Sequence, residues 1–158
     1  MQKWSIGIDV VDITRFRKLD FKQNKAFYEK TFSDDEITYC LDYDDSSTHF
    51  AGIFAAKEAV FKALNKFVKI HIGTILIKHN QSGKPYVVIK IEEKNIKENI
   101  KSNLKILAET TIEVSITHTH DLAIAWALAV KTGETKEITD NWLRIDREIQ
   151  KVINDELK

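Results

Sequence analysis

A single cysteine, Cys40, excludes an intramolecular disulfide and fits a reducing compartment. One proline and five glycines among 158 residues exclude a low-complexity linker, and no segment repeats another. The longest uninterrupted apolar run, Leu122 to Val130, is nine residues, less than half of a membrane-spanning helix, so no membrane segment is expected. No apolar leader precedes the first strand pattern, which makes the cytoplasm the expected location. An excess of one charge is also missing. Lys and Arg number 24 against 24 Asp and Glu, and without a basic excess the chain is not expected to bind nucleic acid.

What is present is an ordinary globular composition, 43% hydrophobic and 30% charged, at a length suited to one core. The zero net charge hides a local imbalance. From Thr14 to Lys30 six basic residues (Arg15, Arg17, Lys18, Lys22, Lys25, Lys30) stand against two acidic ones, whereas Ser33 to Asp45 carries six acids and no base. Such a stripe is either a solvated helix face or a surface for a small acidic partner, such as a helix of another protein.

Hydrophobic periodicity lays out the elements. Trp4, Ile6, Ile8 and Val10 alternate with Ser5, Gly7 and Asp9 as in a half-buried strand, which sends Asp9 away from the apolar face. A charged helix is expected from about Thr14 to Lys30. A second begins near Ser33, where Ser-Asp-Asp-Glu has the form of a capping box. The longest helical signal, about Thr48 to Phe67, repeats Phe50, Ile53, Phe54, Val60, Phe61, Leu64 and Phe67 at 3.6-residue spacing. Strands are expected over Thr74 to His79 and Tyr86 to Ile91, joined by a turn in which Gly83 supplies a positive φ. A helix over Asn95 to Ala108 and strands over Ile112 to His118 and Leu122 to Val130 complete an α+β domain, 1–131, with a mostly antiparallel sheet on a long central helix. Residues 132–158 form a C-terminal extension, in which Trp142, Ile145, Ile149, Val152 and Ile153 line one side of an amphipathic helix. That helix could pack on its own core, on a neighbouring subunit or on a partner.

Charged residues interrupt these apolar patterns at two places. Asp9 lies on the first strand; on the central helix Lys57 falls near the middle of the apolar stripe, with Glu58 and Lys62 along its edge. A lysine on a core face needs a partner, because an unpaired buried ammonium is costly. Asp9 and Glu58, carboxylates on separate elements, suit a hard divalent cation such as Mg²⁺, whose shell is completed by waters and phosphate oxygens. Lys62, one turn after Glu58, is either half of an ordinary helix pair or a counter-charge for a phosphate beside the metal, with Lys57 as a second counter-charge. His118 alone reads as a hydrogen-bonded residue at a strand end, and His49, His71, His79 and His120 lack zinc-ligand spacing.

Taken in order, Ile6-Gly7-Ile8-Asp9-Val10-Val11 with Arg15, Phe54-Ala55-Ala56-Lys57-Glu58-Ala59 with Lys62, Gly83-Lys84-Pro85, and Ser115-Ile116-Thr117-His118-Thr119 resemble the signatures of the 4′-phosphopantetheinyl transferase family. Phe32-Ser33-Asp34-Asp35-Glu36 followed by Tyr39-Cys40 is similar to the pattern of its short, holo-acyl-carrier-protein synthase type. The resemblance covers about residues 5 to 130. It implies Mg²⁺-dependent transfer of the 4′-phosphopantetheine arm from coenzyme A to a serine of an acyl carrier protein, in fatty-acid and lipid synthesis, with 3′,5′-ADP released. Asp9 and Glu58 match the family's metal ligands, where Mn²⁺ is the alternative ion. Lys62 matches the lysine beside the diphosphate, and His118 with Gly83, Lys84 and Pro85 matches positions near the nucleotide end. Glu58, or a water that it orients, is the candidate base for the carrier serine. Arg15 matches a position that meets the carrier's acidic helix, with Lys18, Lys22 and Lys25 as helpers. Short members resemble a homotrimer with sites shared between subunits.

Two departures affect coenzyme A contacts. The family's basic residue before Phe54 is Ile53 here, and the glycine-rich turn after the central helix is replaced by Asn65-Lys66-Phe67-Val68-Lys69. The rival reading is a catalytically silent module that keeps the fold and the basic helix and binds a carrier without using coenzyme A.

Overall fold

Alternation at the start of the chain produces strand β1, Trp4–Asp12, at one edge of a three-stranded antiparallel sheet ordered β1-β5-β4. The computed structural model describes residues 4–90 and 104–131. Within it, β5 (Leu122–Lys131) pairs with β1 on one side and with β4 (Thr110–His118) on the other. A second sheet is the hairpin of β2 (Ile75–His79) and β3 (Pro85–Ile89), which turns through Gly83 at φ 79°. The architecture is the expected α+β arrangement around one long helix. The expected C-terminal helix and most of the expected helix over 95–108 lie outside the described residues; 104–108 are helical.

The expected helix over 14–30 is two helices, α1 (Ile13–Lys18) and α2 (Lys25–Thr31). Asp20 supplies the break: its carboxylate accepts from the Gln23 N–H, and its carbonyl accepts from the Asn24 side chain. These local bonds offer the backbone an alternative to the helical ladder. Asp12 caps α1 by accepting from the Thr14 N–H at 2.8 Å. Helix α3 (Asp34–Leu41) opens with the expected capping box, Ser33 and Glu36 bonding reciprocally.

The central helix α4, Ser46–Leu64, lies across the three-stranded sheet. Its approach is set by small residues. On β5, Ala123, Ala125, Ala127 and Ala129 all point inward and are buried, opposite Ala55, Ala56, Ala59 and Ala63 of the helix. On β1 the inward row is Gly7, Asp9 and Val11. A Cβ on Gly7 would lie 1.9 Å from the Ala59 carbonyl oxygen, so only glycine permits this strand-to-helix distance. The apolar row read from the sequence faces the other way. Trp4, Ile6, Ile8 and Val10 are 45–55% exposed, because α4 covers the face that carries Asp9.

Lys57 is fully buried, and its partner is Glu36 of α3. The ammonium sits 2.8 Å from Glu36 Oε2 and donates to the Ile75 carbonyl at 2.6 Å. Glu36 also accepts from the Ile77 N–H at 2.7 Å and from Ser33. One ion pair therefore fastens α3, α4 and β2 together with each charge satisfied. Removing only one charge, as in Lys57→Met, should destabilise the fold by about 3–5 kcal/mol. Glu36→Gln/Lys57→Met should cost far less than the two single changes combined, since the amide oxygen introduced at position 36 would still accept from the Ile77 N–H. Urea unfolding of the three variants measures this, and additive losses would contradict it.

Candidate active site

Because Asp9 shares the inward face of β1 with Gly7, it emerges beside α4 at the level of Glu58 and Lys62, which stand one helical turn apart. Lys62 Nζ donates to Asp9 Oδ1 at 2.7 Å and to the Ile8 carbonyl at 3.0 Å. The lysine side chain is 49% exposed and the aspartate 17%, so the ammonium reaches over the carboxylate from solvent. Glu58 is partly buried. Burial first, and repulsion from Asp9 second, push its carboxyl above the usual range, while Lys62 and Arg15 act in the opposite sense. Two hard carboxylates set close enough for Asp9 to raise the proton affinity of Glu58 form a donor set suited to a divalent cation. The adjoining ammonium suits a phosphate oxygen.

Arg15 belongs to the same neighbourhood. Its guanidinium lies 5.4 Å from the centre of the Phe54 ring and influences Glu58 electrostatically. The residue expected to meet a carrier therefore borders the carboxylates. Lys18, Lys22 and Lys25 are exposed on the surface of α1, the α1–α2 connection and α2, with Lys25 paired to Glu29 at 3.3 Å.

Lys57 does not join this group, which corrects the expectation that it supplies a second counter-charge for a phosphate of coenzyme A. Its ammonium is enclosed in the core and committed to Glu36 and Ile75, with no exposed surface to offer a phosphate. Ile53, at the family's basic position, is likewise in the core.

The residues expected at the nucleotide end occupy a different region of the chain. Gly83 is at the tip of the β2–β3 hairpin, Lys84 reaches Glu113 of β4 at 3.3 Å, and Pro85 opens β3 opposite His79. His118 is exposed at the end of β4. The register puts β5 between it and Asp9, so the two lie on opposite edge strands of the sheet.

Near His118 the structure assembles a ring cluster that sequence spacing did not reveal. His79 stacks on Tyr39 with centroids 4.3 Å apart, and His49 stacks on Tyr43 at 3.6 Å. Burial, first, lowers the affinity of both imidazoles for a proton; His118 adds to this at His49. The stacked rings come from α3 and its C-terminal turn, α4 and β2, so no local motif could have signalled them. The Ile8 carbonyl was also illegible, since any residue provides one.

Residues 5–128 match the family model described as the 4′-phosphopantetheinyl transferase superfamily. A holo-[acyl-carrier-protein] synthase of Caldicellulosiruptor saccharolyticus is 34% identical over 128 residues, covering 81% of this chain and 97% of the relative. Its counterpart in Clostridium perfringens is 35% identical over 124 residues, 78% of this chain and 90% of the relative. Among solved structures, Helicobacter pylori holo-[acyl-carrier-protein] synthase in complex with coenzyme A is similar at TM-score 0.60 and 29% identity, covering 78% of this chain and 98% of that one.

The two stacked histidines make stability depend on acid. Their proton affinity in the fold lies below the ordinary value of 6.5, so the unfolded chain takes up protons first as pH falls. Their contribution is complete above 6.5 and is lost as pH drops through the folded-state values. Urea midpoints should therefore fall between about pH 7 and about pH 5. The fall should be shallower in His49→Phe/His79→Phe, and equal slopes in the two proteins would contradict the assignment.

Proposed function

This chain belongs to the 4′-phosphopantetheinyl transferase superfamily, and we propose that it acts as a holo-acyl-carrier-protein synthase. It transfers 4′-phosphopantetheine from coenzyme A to a serine of an acyl carrier protein and releases 3′,5′-ADP. The observation that carries the reading is the convergence of Asp9, Glu58 and Lys62 from two separate elements at one accessible point. The match to relatives named for this activity extends over nearly their whole length.

In this reading the carrier serine oxygen bonds to the pantetheine-side phosphorus of the diphosphate, and the bridging oxygen leaves with the 3′,5′-ADP. A Mg²⁺ between Asp9 and Glu58, or Mn²⁺ in its place, would neutralise charge on the diphosphate. Lys62 stabilises the negative charge that grows on the leaving oxygen. Glu58 receives the serine proton or orients the water that does, a role helped by its raised proton affinity. Arg15, at the rim, supplies the positive charge that an acidic carrier helix would meet. No helix among the described residues is long and apolar enough to cross a membrane. We assign the enzyme to the cytoplasm, where coenzyme A and carriers are encountered together.

The outward face of the sheet supports self-association. Trp4, Ile6, Ile8 and Val10 pair across the strands with Val130, Leu128, Trp126 and Ile124, forming one continuous apolar surface. An exposed patch of this kind marks an interface. We take it as the contact of a homotrimer. A neighbouring subunit could then bring its His118 and Gly83-Lys84-Pro85 turn toward the Asp9 site of the first.

Incubating the chain with apo acyl carrier protein, coenzyme A and Mg²⁺ should add the phosphopantetheine mass to the carrier. Asp9→Ala and Glu58→Ala should abolish the gain, and Lys62→Ala should slow it by about a hundredfold or more, as loss of a transition-state contact does. Carrier binding without any mass gain in the unmodified protein would favour the catalytically silent module. Separately, sedimentation at micromolar concentration should give a trimer that Ile6→Glu dissociates. A monomer from the unmodified chain would overturn the trimer.

A further inference from the structure

Lys62 and a divalent cation at Asp9 call on the same oxygen. The ammonium lies 2.7 Å from Asp9 Oδ1, and the Ile8 carbonyl at 3.0 Å anchors it there. A Mg²⁺ bonds a carboxylate oxygen at about 2.0–2.1 Å and tolerates little departure from octahedral geometry. An ammonium held on that oxygen would crowd and repel it. Arg15 is engaged over Phe54, but Lys62 is half-exposed on a flexible four-carbon stem and can move.

We propose that Lys62 is the resident counter-ion of Asp9 and releases it more readily when a cation arrives together with a diphosphate, so that metal and nucleotide load cooperatively. The proposal rests on the assignment of Asp9 and Glu58 as metal ligands. Charge balance supplies the reason. With Arg15 and Lys62 opposite Asp9 and Glu58, the four side chains carry no net charge, and a dication added alone leaves an uncompensated excess. The diphosphate removes that excess and gives the displaced ammonium a new acceptor. Lys62 thus has two partners in sequence, first the aspartate and then the phosphate.

The test uses Mn²⁺ as a spectroscopically visible cation, titrated into the full chain with and without coenzyme A and followed by electron paramagnetic resonance. The unmodified protein should bind Mn²⁺ roughly tenfold more tightly when coenzyme A is present, a typical coupling between sites. Lys62→Met should bind Mn²⁺ alone roughly tenfold more tightly than the unmodified protein, and coenzyme A should then tighten binding by a smaller factor than it does in the unmodified protein. Its turnover should fall at the same time, so metal affinity and activity move in opposite directions. If Lys62→Met leaves Mn²⁺ affinity unchanged or weaker while Asp9→Asn abolishes binding, the metal site stands and the exchange is wrong. If neither Asp9→Asn nor Glu58→Gln alters Mn²⁺ binding, the metal assignment itself fails and takes the exchange with it.

Discussion

The separation of β1 from α4 governs which charged side chains meet at the surface of this molecule. Asp9 can meet Glu58 and Lys62 only because Gly7, two residues earlier, lets the strand backbone touch the Ala59 carbonyl. The alanine rows on β5 and α4 hold the same spacing over the rest of the sheet. Small side chains bury little apolar area, so this interface gains closeness at the expense of hydrophobic stabilisation. The deficit is met on the other side of α4. There Phe16, Tyr28, Phe32 and Phe50 pack with ring centres 4.6–6.3 Å apart, many of them edge to face. Adhesion comes from the aromatic side and precision from the alanine side.

Strand β1 consequently presents two different faces with alternate residues. Its even positions carry the bulky apolar side chains outward, and its odd positions carry the glycine and the aspartate inward. A slip of one residue against β5 would exchange these sets and destroy both surfaces together. The pairing is long, running from Trp4 opposite Val130 to Asp12 opposite Leu122, and Asp12 then closes the strand by capping α1. The backbone N–H of Ile13 donates to the Asp121 carbonyl at 2.8 Å and pins the same end. The position of Asp9 and the apolar outer surface thus share one register.

Much of this was legible in the chain, because the governing signals are local. The period of each strand, the Ser33–Glu36 box and the Gly83 turn all act within a few residues, and each appears where expected. The grouping of Asp9, Glu58 and Lys62 was legible through the chemistry of a hard cation beside a phosphate and through the order of the motifs, since no spacing rule joins a strand to a helix that lies far along the chain. The rest depended on tertiary context. Period-two alternation tells which residues share a face of β1 but not which face a helix will cover, so the apolar row was open to either assignment. The break at Asp20 escaped because propensity over Thr14 to Lys30 was averaged, whereas a single carboxylate diverting nearby donors decided the outcome. The histidine and tyrosine stacks unite separate elements and had no local trace.

Lys57 and Lys62 show why residue type alone could not assign roles on α4. Five residues at about 100° each turn the second lysine roughly 140° away from the first, so one helix cannot aim both at one diphosphate. The helix resolves this by giving each ammonium a different carboxylate: Glu36 in the core for Lys57, and Asp9 at the surface for Lys62. The buried pair is closed, each of its charged groups bonded to protein atoms, which suits it to fixing the position of α4. The exposed pair is open on its solvent side and can exchange partners. A closed charge pair at Lys57 holding steady the helix that carries a solvent-open one at Lys62 is a division of labour that follows from helical geometry. It also explains why adjacent positions, Lys57 and Glu58, belong to different environments although they form one sequence motif.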